Sequence, residues 1–181
     1  MVTVTLTVFS VIRNGVRNGY PFVEAFGSWL DHCDRLVVLD GESVDGTQHI
    51  LSELAHADSR FEWLSRPWPS LGTGGSSIAR FTEEALAHAR LSGGQLMYVQ
   101  ADEIYTRRQR ELVCSQTEGA LEFAGCINFW NSLETVVSET FDMTYLRSFP
   151  ADAEIRSKGD GFSFDIADVT VEHPAEWILH F

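Results

Sequence analysis

A chain of 181 residues, 44% hydrophobic and 22% charged, has room for one sizeable core and the composition of a folded protein, which excludes disorder along its whole length. Its formal net charge of −13, with Lys158 the single lysine among 13 basic residues, sets an average field that repels a polyanionic partner. No apolar run approaches the roughly 20 residues that cross a bilayer, the first residues lack a basic signal-peptide start, and Cys33, Cys114 and Cys126 form no CxxC pair, so reduced thiols in a cytoplasm are expected.

Strands and helices alternate along the first half. Residues 2–12 are β-branched and apolar, as in a strand buried on both faces. Phe22, Phe26, Trp29 and Leu30 then fall on one helical stripe. Residues 36–39 form a short apolar run ending at Asp40, a second buried strand. Asp45 is placed to cap the next helix, with Gln48 three residues on completing a capping box, and Ile50, Leu51 and Leu54 give that helix its buried face. A third strand is expected at 61–64, then a Pro/Gly/Ser loop over 67–77. Ile78, Thr82, Ala85, Leu86 and Ala89 supply another helical stripe, and 96–99 a fourth strand. Thr106 and Gln109 have the spacing of a second capping box. This order implies a mostly parallel sheet with right-handed crossovers. Beyond about residue 120 the pattern turns to strands alone, at 124–130, 140–149 and 162–171, expected to add mixed strands to the same sheet.

In such sheets ligands bind in the loops beyond the carboxyl ends of the strands. Four groups converge there: Arg13-Asn14, the run from Asp40 to Asp45, the run from Gly72 to Ser77, and the run from Gln100 to Glu103. The glycines match neither GxGxxG after a first strand nor GxxxxGK[ST], which excludes the common dinucleotide and Walker phosphate motifs. Asp102 and Glu103 are adjacent carboxylates that repel unless something positive lies beside them. A divalent cation held with substrate phosphates would relieve that repulsion; equally, both acids would suit the positive end of the helix that follows. Arg107, Arg108 and Arg110 read as a solvated helix face.

Four segments in order carry a resemblance: FSVIRNGVRNGYPFVEAFGSWLDHCDRLVVLDGESVDGT, GTGGSSIARFTEEALAHA, LMYVQADE and a late EHPAEWILHF. They resemble the family-two glycosyltransferases of GT-A fold, in particular a branch with QADE as its metal motif. The resemblance covers residues 8–106 well and the remainder loosely. It implies a three-layer α/β sandwich whose mostly parallel nucleotide-binding sheet carries further mixed strands in the C-terminal half. One domain is expected over 1–181, with a nucleotide-binding half at 1–106 and an acceptor-side half at 107–181 that reads as minimal or truncated.

Site roles follow from the same resemblance. Arg13 and Asn14 would meet the nucleoside, Asp40 the base (usually uracil), and Gly74 and Gly75 a loop close to the nucleotide. Asp102 matches the last acid of the DxD metal motif, while Gln100 stands where the first is usually found, leaving one carboxylate fewer for Mn2+ or Mg2+. His173 loosely occupies the place of a family histidine that reaches the metal. The implied reaction transfers a sugar from a nucleotide-sugar, expected to be a UDP-sugar, to an acceptor hydroxyl on a glycan, a small molecule or modified nucleic acid. Asp160, ahead of Glu154 and Asp165, is the expected general base, and Glu103 is the second catalytic candidate. A nucleotidyltransferase and a non-catalytic nucleotide-sugar binder are the alternatives.

Overall fold

The computed structural model describes residues 4–70, 75–129, 134–140, 145–159, 161–164, 169–174 and 178–181. The expected alternation is present. Strand β1 (Leu6–Ile12) leads through a short helix, α1 (Gly15–Asn18), into α2 (Phe22–Leu30) and then β2 (Arg35–Asp40). Helix α3 (Thr47–Ala57) precedes β3 (Phe61–Ser65), and α4 (Ser76–Ala89) precedes β4 (Gln95–Tyr98). A two-residue strand, β5 (Glu103–Ile104), is followed by α5 (Arg107–Ser115). The remainder is β6 (Ala120–Phe123), β7 (Cys126–Phe129), β8 (Val136–Thr140), β9 (Tyr145–Pro150), β10 (Ile155–Lys158), β11 (Gly161–Phe164), β12 (Val171–Glu172) and β13 (Ile178–His180).

Among the described residues the main sheet has seven strands in the order β12-β6-β9-β4-β1-β2-β3. The β3-β2-β1-β4 block is parallel throughout, and β9 is the one reversed strand, antiparallel to both β4 and β6. Side-chain alternation explains why the parallel strands read as unbroken apolar runs. Val8, Leu36, Val38 and Met97 face α2 and α3, whereas Phe9, Val37, Leu39 and Leu96 face α4. On the first face Phe26 and Trp29 are fully buried, and on the second Phe81 and Ala85 are. A phenylalanine such as Phe26 or Phe81 contributes about 1.5–3 kcal/mol by leaving water. The result is the three-layer sandwich expected.

The C-terminal half departs from expectation. Only β6, β9 and β12 join the main sheet; β7 and β8 form a second sheet with β5 and β13, in the order β5-β13-β7-β8. The hairpin β10–β11 lies apart and packs on α4, where the Glu83 carboxylate accepts the Ser157 N–H. The physical reason is length: strands of two to five residues leave no periodicity from which sheet membership can be read.

The capping predictions divide. Thr106 and Gln109 form a reciprocal capping box at the start of α5. At α3 the cap position is Gly46, at φ 97°, and Gln48 does not reach back to it. Asp45 instead accepts from the Thr47 N–H at 3.1 Å and hydroxyl at 2.6 Å, and from the Arg17 N–H at 2.7 Å, tying the loop after β2 to α1. No helix among the described residues is long and apolar enough to cross a membrane.

Candidate functional site

Parallel strands bring the loops after β1, β2 and β4 to one edge of the sheet, and a cleft of about 420 Å³ opens there. Its walls include Arg13, Tyr20, Trp68, Gln100, Asp102 and His180. Arg13 and Asn14 end β1 as expected. Asn14 takes a left-handed conformation, φ 52°, that frees its side chain to bind the neighbouring loop: its Oδ1 accepts from the Val44 N–H at 3.0 Å, and its own N–H donates to the Ser43 hydroxyl at 2.8 Å.

Asp102 and His180 form the floor of the metal candidate. β13 pairs antiparallel with β5 and parallel with β7, which sets the His180 Nε2 3.2 Å from the Asp102 Oδ2. The following residue fixes the backbone as well, since the Phe181 N–H donates to the Asp102 carbonyl at 2.8 Å. The hydrogen bond to Asp102 raises the His180 pKa above its ordinary value, against the opposing effect of burial. Burial, and then the charge of Asp102, raise that of Tyr20. Sequence reasoning nominated His173, which the structure places elsewhere. His173 is largely exposed and sits 3.5 Å from the Glu122 carboxylate beside β6, away from Asp102. The chain gave one available signal for His180: it is the polar residue in the apolar run WILHF.

Glu103 lies in a buried ion pair. Its carboxylate is 2% exposed and paired with Arg147, itself 1% exposed, at 2.7 Å from Nη2. The Arg147 Nε donates to it at 3.3 Å, the Tyr105 hydroxyl at 3.0 Å and the Gln100 N–H at 3.1 Å. With its lone pairs used this way it is a structural acid, not a base open to substrate. The repulsion between Asp102 and Glu103 is therefore relieved by a buried arginine. Arg147 lies between the rings of Tyr98 and Tyr145, 5.2 and 5.1 Å from their centroids. Burial alone would lower its pKa; the adjacent Glu103 carboxylate holds it above the usual value. A lone arginine in the strand pattern YLRSFP is the signal that was available for it.

Asp40 was expected to face the ligand. It is fully buried, and its carboxylate accepts from the Gln48 Nε2 at 2.6 Å, the Ser43 N–H at 3.1 Å and the Ser65 hydroxyl at 3.4 Å. Parallel pairing of β2 with β3 brings Ser65 level with Asp40, and the first turn of α3 brings Gln48 over both. The acid thus organises the loop beneath the cleft and does not line it. Gly75 begins α4 at φ 80°, where a Cβ would come within 3.1 Å of the Gly159 Cα, and Ile78 one turn later lines the cleft. Gly74, Asp160 and Asp165 lie outside the described residues. Glu154 is exposed before β10 and is not part of the cleft wall.

Among the described residues no group of three or more His, Cys, Asp or Glu side chains is placed to hold a metal. The Asp102–His180 contact is a pair, one group short of that number.

No protein-family model matches the sequence, and no curated protein matches it. Solved structures do match in fold. S. aureus TarS aligns with 97% of this chain and 36% of its own, at TM-score 0.58 and 13% identity. A structure of S. aureus TarS 1–349 in complex with UDP aligns with 71% of this chain and 37% of its own, at TM-score 0.51 and 18% identity. The mannosyltransferase PcManGT from Pyrobaculum calidifontis, in complex with GDP-Man and Mn2+, aligns with 99% of this chain and 57% of its own, at TM-score 0.54 and 15% identity. The chain spans little more than a third of TarS and just over half of the mannosyltransferase. The mixed α/β fold, with its mostly parallel central sheet, is therefore one shared with TarS and with this mannosyltransferase.

Proposed function

We propose that this chain transfers a sugar from a nucleoside diphosphate sugar to an acceptor hydroxyl, assisted by Mn2+ or Mg2+. The observation that carries the reading is the Asp102–His180 pair on the floor of a cleft at the carboxyl ends of parallel strands. Two neighbours of the same fold were solved with UDP and with GDP-Man and Mn2+. UDP is a nucleoside diphosphate and GDP-Man a nucleoside diphosphate sugar, and a UDP-sugar is the first donor to test.

Asp102 and His180 would hold the cation, and Gln100 beside them offers a neutral amide to a ribose hydroxyl. When bound, the cation supplies positive charge against the departing diphosphate. The chain's own residues do the rest. β13 holds His180 against Asp102, and Arg13 sets a fixed positive charge on the rim of an otherwise acidic protein. Asp160 remains the proposed general base; its neighbour Gly159 lies against Gly75 at the head of α4.

The experiment is a thermal-shift series with UDP and GDP, each with Mn2+ and with chelator, on the wild type and Asp102→Asn. Nucleotide should raise the wild-type melting temperature, and more so with Mn2+. Asp102→Asn should keep the apo melting temperature, since an amide oxygen can still accept from His180, and lose the Mn2+-dependent increment. No shift with either nucleotide at millimolar concentration would sink the donor assignment, and an unchanged increment in the variant would remove Asp102 from the metal site.

A further inference from the structure

Asp102 and His180 meet through Glu103. It follows Asp102 in the chain, and in the antiparallel pairing of β5 with β13 it stands opposite His180. Its buried side chain reaches β9 of the main sheet, where the carboxylate meets the Arg147 guanidinium at 2.7 Å. One residue thus joins the second sheet to the main sheet directly beside the floor of the cleft.

Glu103 also closes the turn that carries Asp102. Its N–H donates to the Gln100 carbonyl at 3.1 Å, and its Oε2 accepts the Gln100 N–H at 3.1 Å. Gln100, Ala101, Asp102 and Glu103 therefore form a four-residue turn tied twice by its last residue, once through the backbone and once through the side chain. Such a ring narrows the directions open to the Asp102 side chain. The carboxylate that closes it is itself fixed, by the Tyr105 hydroxyl at 3.0 Å and by two nitrogens of Arg147. The guanidinium in turn lies between the rings of Tyr98 and Tyr145. Ala101, second in the turn, is buried, so the turn is packed as well as bonded. With Glu103 neutralised by Arg147, Asp102 alone of the two acids offers its charge to the cleft.

We propose that Glu103 is a positioning residue: anchored by Arg147, it locks the Gln100-to-Glu103 turn so that Asp102 faces the cleft and His180 lies against it. The inference rests on the nucleotide-sugar reading above, in which Asp102 and His180 hold the cation. Glu103 touches neither cation nor nucleotide. It acts as groups that hold metal ligands in place act, and loss of such a group lowers metal affinity by about 10- to 100-fold although the ligands remain.

Two double variants separate positioning from a purely structural role. Glu103→Gln with Arg147→Met removes both charges but keeps an oxygen to accept the Gln100 N–H. Glu103→Leu with Arg147→Met removes both charges and that oxygen. Each avoids leaving a buried charge unpaired, and thermal melts establish that each is folded. Isothermal titration with UDP, in Mn2+ and in chelator, gives the gain in affinity that the cation brings. The glutamine pair should keep most of the wild-type gain. The leucine pair should lose about 10- to 100-fold of it, with affinity in chelator unchanged. Hydrogen exchange reads the lock without a variant: in the wild type the Gln100 amide should exchange as slowly as the amides of β4. If the leucine pair does not fold, that exchange rate decides. The proposal is overturned if both pairs show the same gain, if the leucine pair weakens equally in chelator, or if the wild-type Gln100 amide exchanges as fast as an exposed loop. In those cases the wild-type gain, and the donor reading with it, still stand. A wild type that binds UDP no more tightly in Mn2+ than in chelator brings down the cation reading, and this role falls with it.

Discussion

Replacing Arg147 by methionine tests whether Glu103 is an element of the fold or of the chemistry. Methionine fills much of the arginine stem's volume between Tyr98 and Tyr145 but removes the guanidinium that lies 2.7 Å from the Glu103 carboxylate. Both partners are at most 2% exposed, so water cannot take over the lost interaction. Glu103 would keep the hydrogen bonds from the Tyr105 hydroxyl and the Gln100 N–H, which offset only part of the cost of an unpaired buried charge. Removing one member of such a pair costs about 3–5 kcal/mol. For a chain of this size that corresponds to a fall of roughly 6–20 °C in melting temperature. The double variant Glu103→Gln with Arg147→Met removes both charges, and the glutamine oxygen can still accept from Tyr105 and Gln100. It should recover most of the loss. Urea unfolding and thermal melts of the single and double variants form the cycle. A loss below about 1 kcal/mol for Arg147→Met, or a double variant less stable than the single, would refute the buried-pair argument.

Two further outcomes follow from the loop after β2. Asp40→Ala should destabilise the fold by about 1–3 kcal/mol by orphaning the Ser43 N–H and the Gln48 amide, in contrast to the silent change expected of an acid on a ligand rim; urea titration measures it. Asp45 gives a pH signature. Slight burial would raise its pKa, but hydrogen bonds from the Thr47 hydroxyl and from the Arg17 and Thr47 N–H groups outweigh this and leave it below the ordinary value. A depressed native pKa means stability that is present above the unfolded pKa, near 4, and lost as pH falls through the native one. The stability gap between wild type and Asp45→Asn should therefore be open at pH 7, narrow below about pH 4 and close at lower pH. A gap of constant size in pH-dependent melts would show that the charge is not responsible.

What the sequence disclosed and what it hid divide along a physical line. The β1 to β4 half was legible because each parallel strand is buried on both faces and each helix shows one stripe, so Val37 and Phe26 announce their own surroundings. Asp102 stood out because an acid next to a buried strand end has few places to go. Asp40 looked equivalent and is not: it is sealed by Gln48 from the next helix and Ser65 from the next strand, contacts that depend on register between elements. His180 and Arg147 escaped for the same reason. Each reaches its partner acid through strand pairing across a long stretch of chain, and short strands such as β13 carry no periodic signal. Trp68, between two prolines, read as part of a loop; Gly41, on which its ring lies, follows a different strand, β2.

The placement of β13 has a mechanical consequence. A single short strand is hydrogen-bonded to β5 on one side and to β7 on the other, and its end donates to the carbonyl of Asp102. The second sheet and the cleft floor are thus joined by a tie only a few residues long. Displacement of β7 is delivered to Asp102 with little slack, because hydrogen-bonded strands slide by whole register steps and not by fractions.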